Sequence, residues 1–445
     1  MSQARVSAGS LRRLAARPEG RRLAGWLFGA VIVALMTGPS GSAGSPTSGF
    51  TGSLLHPRVL AFLGLGAGLW ALSEGRRHYG ARIREVSERI RAIPDQVVGN
   101  RSARYGIYLA VLAAAIVYPH TLSGFWQEVL VDQIGVFVIL AVGLNVVVGW
   151  AGLLDLGYIA FYAIGAYSAA YWTGALPVHP PIHLNPFWVI PVAILTAMAA
   201  GVVLGAPTLR LRGDYLAIVT LGFGEIIQIA ATNMQSVTGG AQGVIGIPHF
   251  SLHVAGLHYR WGLASLPYYY LLLGFAVIML VTFHWLENSR VGRVWAAIRE
   301  DEVAAQASGI NVLKYKVMAF AIGASTSGFA GTLYASKISF IEPGVFTVQL
   351  SILILVLVIF GGMGSLPGAV LGAVILQWLP QFLRIHPLFG FQQQDLYVYL
   401  GALLVAMMIF RPEGILPSRR RRREIGLAER GVGTADAMSA GGPVE

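Results

Sequence analysis

The chain has 445 residues, of which 55% are apolar and 12% charged, and its apolar residues fall in long uncharged runs. That balance excludes a soluble globular domain and places the chain among integral membrane proteins. The formal charge of +11 is not a nucleic-acid signal, because the basic residues cluster at 12–22, 76–104, 290–316 and 419–423, beside the ends of apolar runs. This is the positive-inside pattern, which turns those segments to the cytoplasm. Zero cysteines remove disulfides, thiolate metal sites and cysteine nucleophiles together. The histidines lie without metal spacing, and no GxxxxGK[ST] phosphate loop occurs. No bound cofactor or metal and no nucleotide hydrolysis by this chain are therefore expected.

Residues 1–22 form a basic tail ahead of an apolar run at 23–37. Two readings stand, a signal peptide or a retained span; the run at 59–73 fits as a return partner and favours the span. Residues 74–104 are charged, with Ile83, Val86 and Ile90 at helical spacing and a break at Pro94, which reads as a cytoplasmic linker helix. Residues 1–104 are thus expected to be a two-span extension of the main body.

The body, 105–417, contains apolar runs at 105–119, 134–150, 156–175, 186–206, 213–234, 265–286, 317–336, 349–363, 367–383 and 396–410. The expected fold is all-α, a polytopic membrane protein with about ten core transmembrane helices and a two-helix N-terminal extension. Several runs fall short of the roughly 20 residues that a straight span needs, so they use polar flanks or are broken within the membrane. Threading from a cytoplasmic start leaves the outer loops nearly free of Lys and Arg, with Arg260 the main exception, and puts both termini inside. Residues 418–445 are basic and then polar, and read as a disordered cytoplasmic tail.

Three features stand out against this background. Glycines gather in Val148-Gly-Trp-Ala-Gly-Leu-Leu-Asp-Leu-Gly157 and again in Phe360-Gly-Gly-Met-Gly-Ser-Leu-Pro-Gly368, two turns at the cytoplasmic ends of spans. Their likeness fits an internal duplication, as transporters often carry, and also simple glycine enrichment. Gly149, Gly152, Gly157, Gly361, Gly362 and Gly364 are candidate hinge or turn positions, against the alternative of close helix packing.

The second feature is the span at 213–234. Asp214 opens it, and Glu225 follows eleven positions later, near the bilayer middle at about 1.5 Å per residue. A carboxylate there costs about 2.5 to 3.5 kcal/mol by insertion scales and must face protein or water. Gln228 and Thr232 share its helical face. With Asn145, these residues (Asp214, Glu225, Gln228, Thr232) are the candidate translocation path; a structural hydrogen bond between helices is the competing reading of the stripe. Third, the outer loop 233–248 is polar, uncharged and glycine-rich, suited to a pathway mouth, a docking surface or an ordinary connection.

One charged island interrupts the apolar body, at 288–316. Val294, Ala297, Ile298, Val303, Ala304 and Ala307 recur at helical spacing, with Arg299, Glu300, Asp301 and Glu302 opposite them. The pattern predicts a short amphipathic helix with Gly309 as its C-cap. So short a helix needs a surface to pack on. A partner protein on the cytoplasmic face is one such surface, and lipid headgroups are the other.

Several stretches resemble one family, the membrane permease subunits of bacterial ABC importers for branched-chain amino acids, in particular the longer, LivM-like type. They are 143–157, Phe161-Tyr-Ala-Ile-Gly-Ala-Tyr167, 209–227, Thr238-Gly-Gly240, Ala297-Ile-Arg-Glu-Asp-Glu302, 360–365 and Arg411-Pro-Glu-Gly-Ile-Leu-Pro417. The resemblance implies a non-catalytic subunit of the bacterial inner membrane with the ABC importer permease fold. Its implied partners are a second, LivH-like permease, two ATP-binding cassette subunits that hydrolyse ATP, and a periplasmic amino-acid-binding protein. It also makes 288–316 the coupling loop, with Arg299, Glu300, Asp301, Glu302, Ala304, Ala305 and Gly309 facing the ATPase. The family pattern Glu-Ala-Ala-x-x-x-Gly is matched at Ala304, Ala305 and Gly309, but Val303 stands at the glutamate position with Glu302 one residue earlier. Which acid meets the ATPase is left open by that departure. Permeases for urea or short-chain amides share the resemblance, so substrate stays open between Leu/Ile/Val and these. A different class, an ion-coupled secondary transporter using Asp214 or Glu225, is separated from the importer by whether uptake needs ATPase subunits.

Overall fold

The computed structural model describes residues 101–210, 214–254, 257–385 and 414–417, with isolated positions between 401 and 407. Residues 1–100 of the expected N-terminal extension, most of the last run at 396–410 and the tail at 418–445 lie outside the described residues. Two compact units are distinguished, one holding residues to Val117 with Pro380–Phe410, the other Tyr118–Leu379 with the segment from Arg411. In the first unit, α1 (Arg101–Val117) is one helix running across the expected boundary between linker and first span.

The second unit holds most of the described chain. It contains α2 (Gly124–Trp150), α3 (Tyr158–Trp172), α4 (Pro186–Thr208), α5 (Asp214–Asn233), β1 (Val244–Ile245) and the hairpin β2 (Ser251–Val254) with β3 (Leu257–Arg260). Then come α6 (Ser265–Asn288), α7 (Arg290–Glu300), α8 (Glu302–Ala307), α9 (Val312–Ile338), β4 (Phe340–Ile341), α10 (Val348–Gly361) and α11 (Leu366–Ile385), whose last turn belongs to the first unit. Among the described residues, five helices are long and apolar enough to cross a membrane: α2, α4, α5, α6 and α9. α10 and α11 are shorter apolar helices, and α3 has 15 residues. The sequence expectation of a single run at 134–150 is lengthened by ten residues, because two wide π-helical turns, Val129–Gly135 and Asn145–Trp150, carry α2 on as one helix.

Burial sorts the spans. About three-quarters of the apolar windows of α2 (78%) and α9 (72%) are enclosed by the chain, against 28% for α4 and α5 and 22% for α6. α9 is central because it is built from small residues. Gly323, Ala324, Ser327, Gly328, Ala330, Gly331 and Thr332 are all buried. Gly165 and Gly328 bring the backbones of α3 and α9 into direct contact, with no room for a Cβ at either position. In lipid, packing and hydrogen bonds rather than water exclusion hold helices together. The Ser327 hydroxyl accordingly donates to the Tyr158 carbonyl at 3.0 Å, and Ser351 of α10 accepts from the Ile159 N–H at 3.1 Å. α9 starts where Asn311 accepts from the Lys314 N–H and stops at Ser339, which turns left-handed at φ 58°. Past the end of α9 away from α7 and α8, β1 pairs antiparallel with β4, tying the glycine-rich 233–248 loop to the exit of α9.

Candidate functional site

The charged island folds as two helices where the sequence pattern predicts one. Ser289 caps α7 by accepting from the N–H groups of Val291 and Gly292. Asp301 then takes an extended conformation, φ −154°, and its carboxylate accepts from Val303 N–H at 2.8 Å and Ala304 N–H at 3.0 Å, which starts α8. An aspartate that can cap a new helix competes with the old one, and that is the physical reason for the break. Gly309, at φ +82°, closes α8 as the expected C-cap, with the Ile310 N–H donating to the Ala305 carbonyl.

The two helices are seated on the chain by a small apolar cluster. Ile298, Ala305 and Val312 are buried, with Val294, Ile310 and Tyr315 packed against them. Trp295 is fully enclosed, stacks on Trp150 with ring centroids 6.2 Å apart, and donates from Nε1 to the Tyr315 carbonyl at 2.8 Å. The remaining residues expected to share the apolar face do not go inside. Val303 is 74% exposed, and Ala304 and Ala307 are exposed too. α8 therefore presents Val303, Ala304, Gln306 and Ala307 outward from a firmly anchored base.

The seven residues expected to couple to an ATPase separate into those whose side chains engage their own chain and those that face outward. Arg299 turns back onto its own chain, where its guanidinium donates to the Gly149 carbonyl and its stem lies over Gly152. Asp301 is the cap just described. Glu302 accepts from Lys316 Nζ at 2.6 Å, and Lys316 is largely buried. Ala305 sits in the cluster. Glu300, Ala304 and Gly309 face outward. Sequence spacing alone could not sort these, since Arg299 and Lys316 find partners 150 and 14 residues away.

The glycine turns, noted in the sequence for their likeness, meet. Gly152 turns left-handed at φ +72°, as do Gly362 at +120° and Gly364 at +83°. The Gly364 N–H donates to Oδ1 of Asn145 at 2.8 Å, and Asn145 is fully buried. Gly149 packs so closely on that same Oδ1 and on the Gly364 nitrogen that a Cβ would not fit. Gly157 lies against the Thr220 carbonyl of α5, and Gly361 against Gly368. Between α2 and α3, Asp155 is buried, accepts from the Gly157 N–H at 2.9 Å through Oδ1, and leaves Oδ2 unpartnered. Burial raises its carboxyl to about 7. Nothing in the sequence beyond its place among glycines marks Asp155, and sequence reasoning missed it.

On α5, Leu216, Ala217, Thr220, Gly224 and Ala231 form the buried face. Glu225 and Gln228 lie beside it, half-buried, and Thr232 is exposed with its hydroxyl donating to the Gln228 carbonyl. Asp214 is the first residue of the helix. Asn145 is thus remote from that stripe in its contacts and joined instead to the glycine turns.

Residues 129–410 match the family model described as branched-chain amino acid transport system / permease component. The chain is 40% identical over 331 residues to the high-affinity branched-chain amino acid transport system permease protein LivM of Escherichia coli K12, covering 70% of this chain and 75% of that one. It is 39% identical to the LivM of Salmonella typhimurium LT2 over the same shares. It is also 26% identical to the probable LivM of Methanocaldococcus jannaschii, over 64% of this chain and 91% of that one. No solved structure gives a significant match. A multi-pass helical chain with these relatives is a transporter component, and it belongs to the branched-chain amino acid transport permease family.

Proposed function

We propose that this chain is the membrane permease subunit of an ATP-driven importer for leucine, isoleucine and valine, working with partner chains that hydrolyse ATP. The family and the LivM relatives support the transport class and the substrate. The observation that carries the mechanism is the bare face of α8. A six-residue helix is too short to hold itself. Here it is capped at Asp301, closed at Gly309 and pinned by Ala305, yet it leaves Val303, Ala304 and Ala307 uncovered. Such effort spent on one turn and a half of helix fits a surface that seats in another protein. Of the acids, Glu300 is the outward one without a hydrogen bond or ion pair among the described residues, so Glu300 is our choice for the charged contact with the ATPase.

The Glu225, Gln228 and Thr232 stripe supports the second, LivH-like permease. A carboxylate left facing hydrocarbon costs about 2.5 to 3.5 kcal/mol, and this chain covers only 28% of the α5 apolar window. A second permease or the passage water between the two would relieve that cost, and on this reading Asp214, Glu225, Gln228 and Thr232 line the path. Substrate arrives at the opposite mouth from a periplasmic binding protein, with the 233–248 loop as its landing site. In this reading the body has ten spans, the extension two, and both termini are cytoplasmic, in a bacterial inner membrane.

Reconstituted vesicles test the assignment. Leucine uptake that requires co-purified ATPase chains and survives an uncoupler supports it. Uptake by the isolated chain that an uncoupler abolishes contradicts it and favours an ion-coupled carrier.

A further inference from the structure

We propose that Asn145 is a positioning residue whose carboxamide pins the turn at 149–152 to the turn at 362–365, so that a push on α7 reaches both. Three contacts form the chain of transmission. Arg299, one residue from the end of α7, donates to the Gly149 carbonyl, and its stem covers Gly152. Gly149 packs directly on Oδ1 of Asn145. That oxygen accepts the Gly364 N–H at 2.8 Å, across 219 residues of sequence. The far turn is itself held to the segment 414–417, because the Ile415 and Leu416 N–H groups donate to the carbonyls of Phe360 and Gly361. The coupling helices and the α10–α11 connection are thereby hydrogen-bonded through one side chain, beside the direct approach of Gly149 to the Gly364 nitrogen.

The arrangement is also held incompletely. Nδ2 of Asn145 is buried with no partner, and so are Nε1 of Trp150 and Oδ2 of Asp155. Three of the six such atoms among the described residues fall in this eleven-residue stretch. Buried donors without acceptors raise the energy of the state that contains them. The wide π-helical turn at Asn145–Trp150 is of a kind found frequently at functional positions. A joint with one strong bond and several unmet ones is suited to letting go and re-forming during a transport cycle, which a fully satisfied core would resist.

The test uses the full chain in lipid nanodiscs. It has no cysteine, so Leu154→Cys and Pro367→Cys, both exposed, carry the only spin labels. With Asn145 intact, a single narrow distance distribution is expected. Asn145→Ala should broaden it or add a second component, as the preference for one arrangement falls by about fivefold. Asn145→Asp, which keeps an acceptor for Gly364, should restore the narrow distribution. If Asn145→Ala does not assemble, Asn145→Ser serves in its place, since its hydroxyl satisfies itself on the preceding turn but cannot reach Gly364. Superimposable distributions in the wild type and the shortened variant, or no rescue by Asn145→Asp, overturn the proposal. The consequence for coupling rests on the importer reading. In the assembled complex Asn145→Ala should raise ATP consumed per leucine transported by about fivefold, and an unchanged ratio contradicts that consequence. Should no ATPase associate with the wild type, the importer reading fails, and the distance measurement still decides whether the pin exists.

Discussion

Removing the Asp301 cap isolates the role of α8, because the perturbation leaves every apolar contact in place. Asp301→Ala deletes the two hydrogen bonds to the Val303 and Ala304 N–H groups. Loss of such a cap costs about 1 kcal/mol, within a range of about 0.5 to 2. In a long helix that is absorbed; α8 has six residues and one buried side chain, Ala305, so the loss falls on the whole element. At RT of about 0.59 kcal/mol, it lowers the folded fraction of α8 relative to the frayed one by about fivefold. Hydrogen exchange of the amides at 303–307, measured by mass spectrometry on the full chain in detergent, should accelerate by that factor. Exchange in α9 should stay unchanged, and Asp301→Asn, which retains an acceptor oxygen, should stay near wild type. If the chain is the importer subunit proposed above, its affinity for the ATPase should fall to a similar extent. Unchanged exchange at 303–307 in Asp301→Ala would mean that α8 does not depend on its cap, and the account of a built docking surface would be wrong.

Two further outcomes follow from buried charges. Glu302→Ala leaves the ammonium of Lys316 largely buried and unpaired. Since Glu302 is 53% exposed, the penalty is below that of a fully buried pair, about 1 to 2 kcal/mol. It should appear as a lower unfolding temperature that Glu302→Gln only partly recovers, and equal melting of Glu302→Ala and wild type would argue against the pair. Asp155 gives a pH signature. Its carboxyl is raised by burial from 3.8 to about 7, so the folded state binds the proton more tightly than the unfolded one. Stability from this group is complete below pH 4 and falls as pH rises towards 7, by roughly 4 kcal/mol in total for a shift of this size. Asp155→Asn should therefore gain on wild type in melting temperature between pH 5 and pH 7. Parallel curves would show that Asp155 titrates normally.

The sequence made the membrane class, most helix positions and the charged island legible for physical reasons. Long uncharged runs have no other solvent, and α4 and α6 begin where the runs at 186–206 and 265–286 begin. Gly309 could be read as a C-cap because a left-handed turn there favours glycine. The split at Asp301 was not legible, since Asp301 continues the polar face of one helix as well as it caps another. Nor could pattern foretell that Val303, Ala304 and Ala307 stay outside while Trp295 goes in. Burial of Trp295 depends on Trp150, which is remote in sequence. The likeness of the two glycine turns was visible, but their meeting through Asn145 depends on a fold that brings residues 219 apart together. Asp155 escaped notice because a lone acid among glycines at a span end has the ordinary look of a solvated turn.

The account depends on α8 standing on the cytoplasmic face with its outer side reserved for an ATPase. Val303→Cys, in a chain without other cysteines, reports both points in one labelling experiment with a membrane-impermeant maleimide. Inside-out vesicles should label readily, right-side-out vesicles should not, and adding the ATPase chains to the inside-out vesicles should protect the thiol. Labelling from the outer side, or equal labelling with and without the ATPase, would contradict the account.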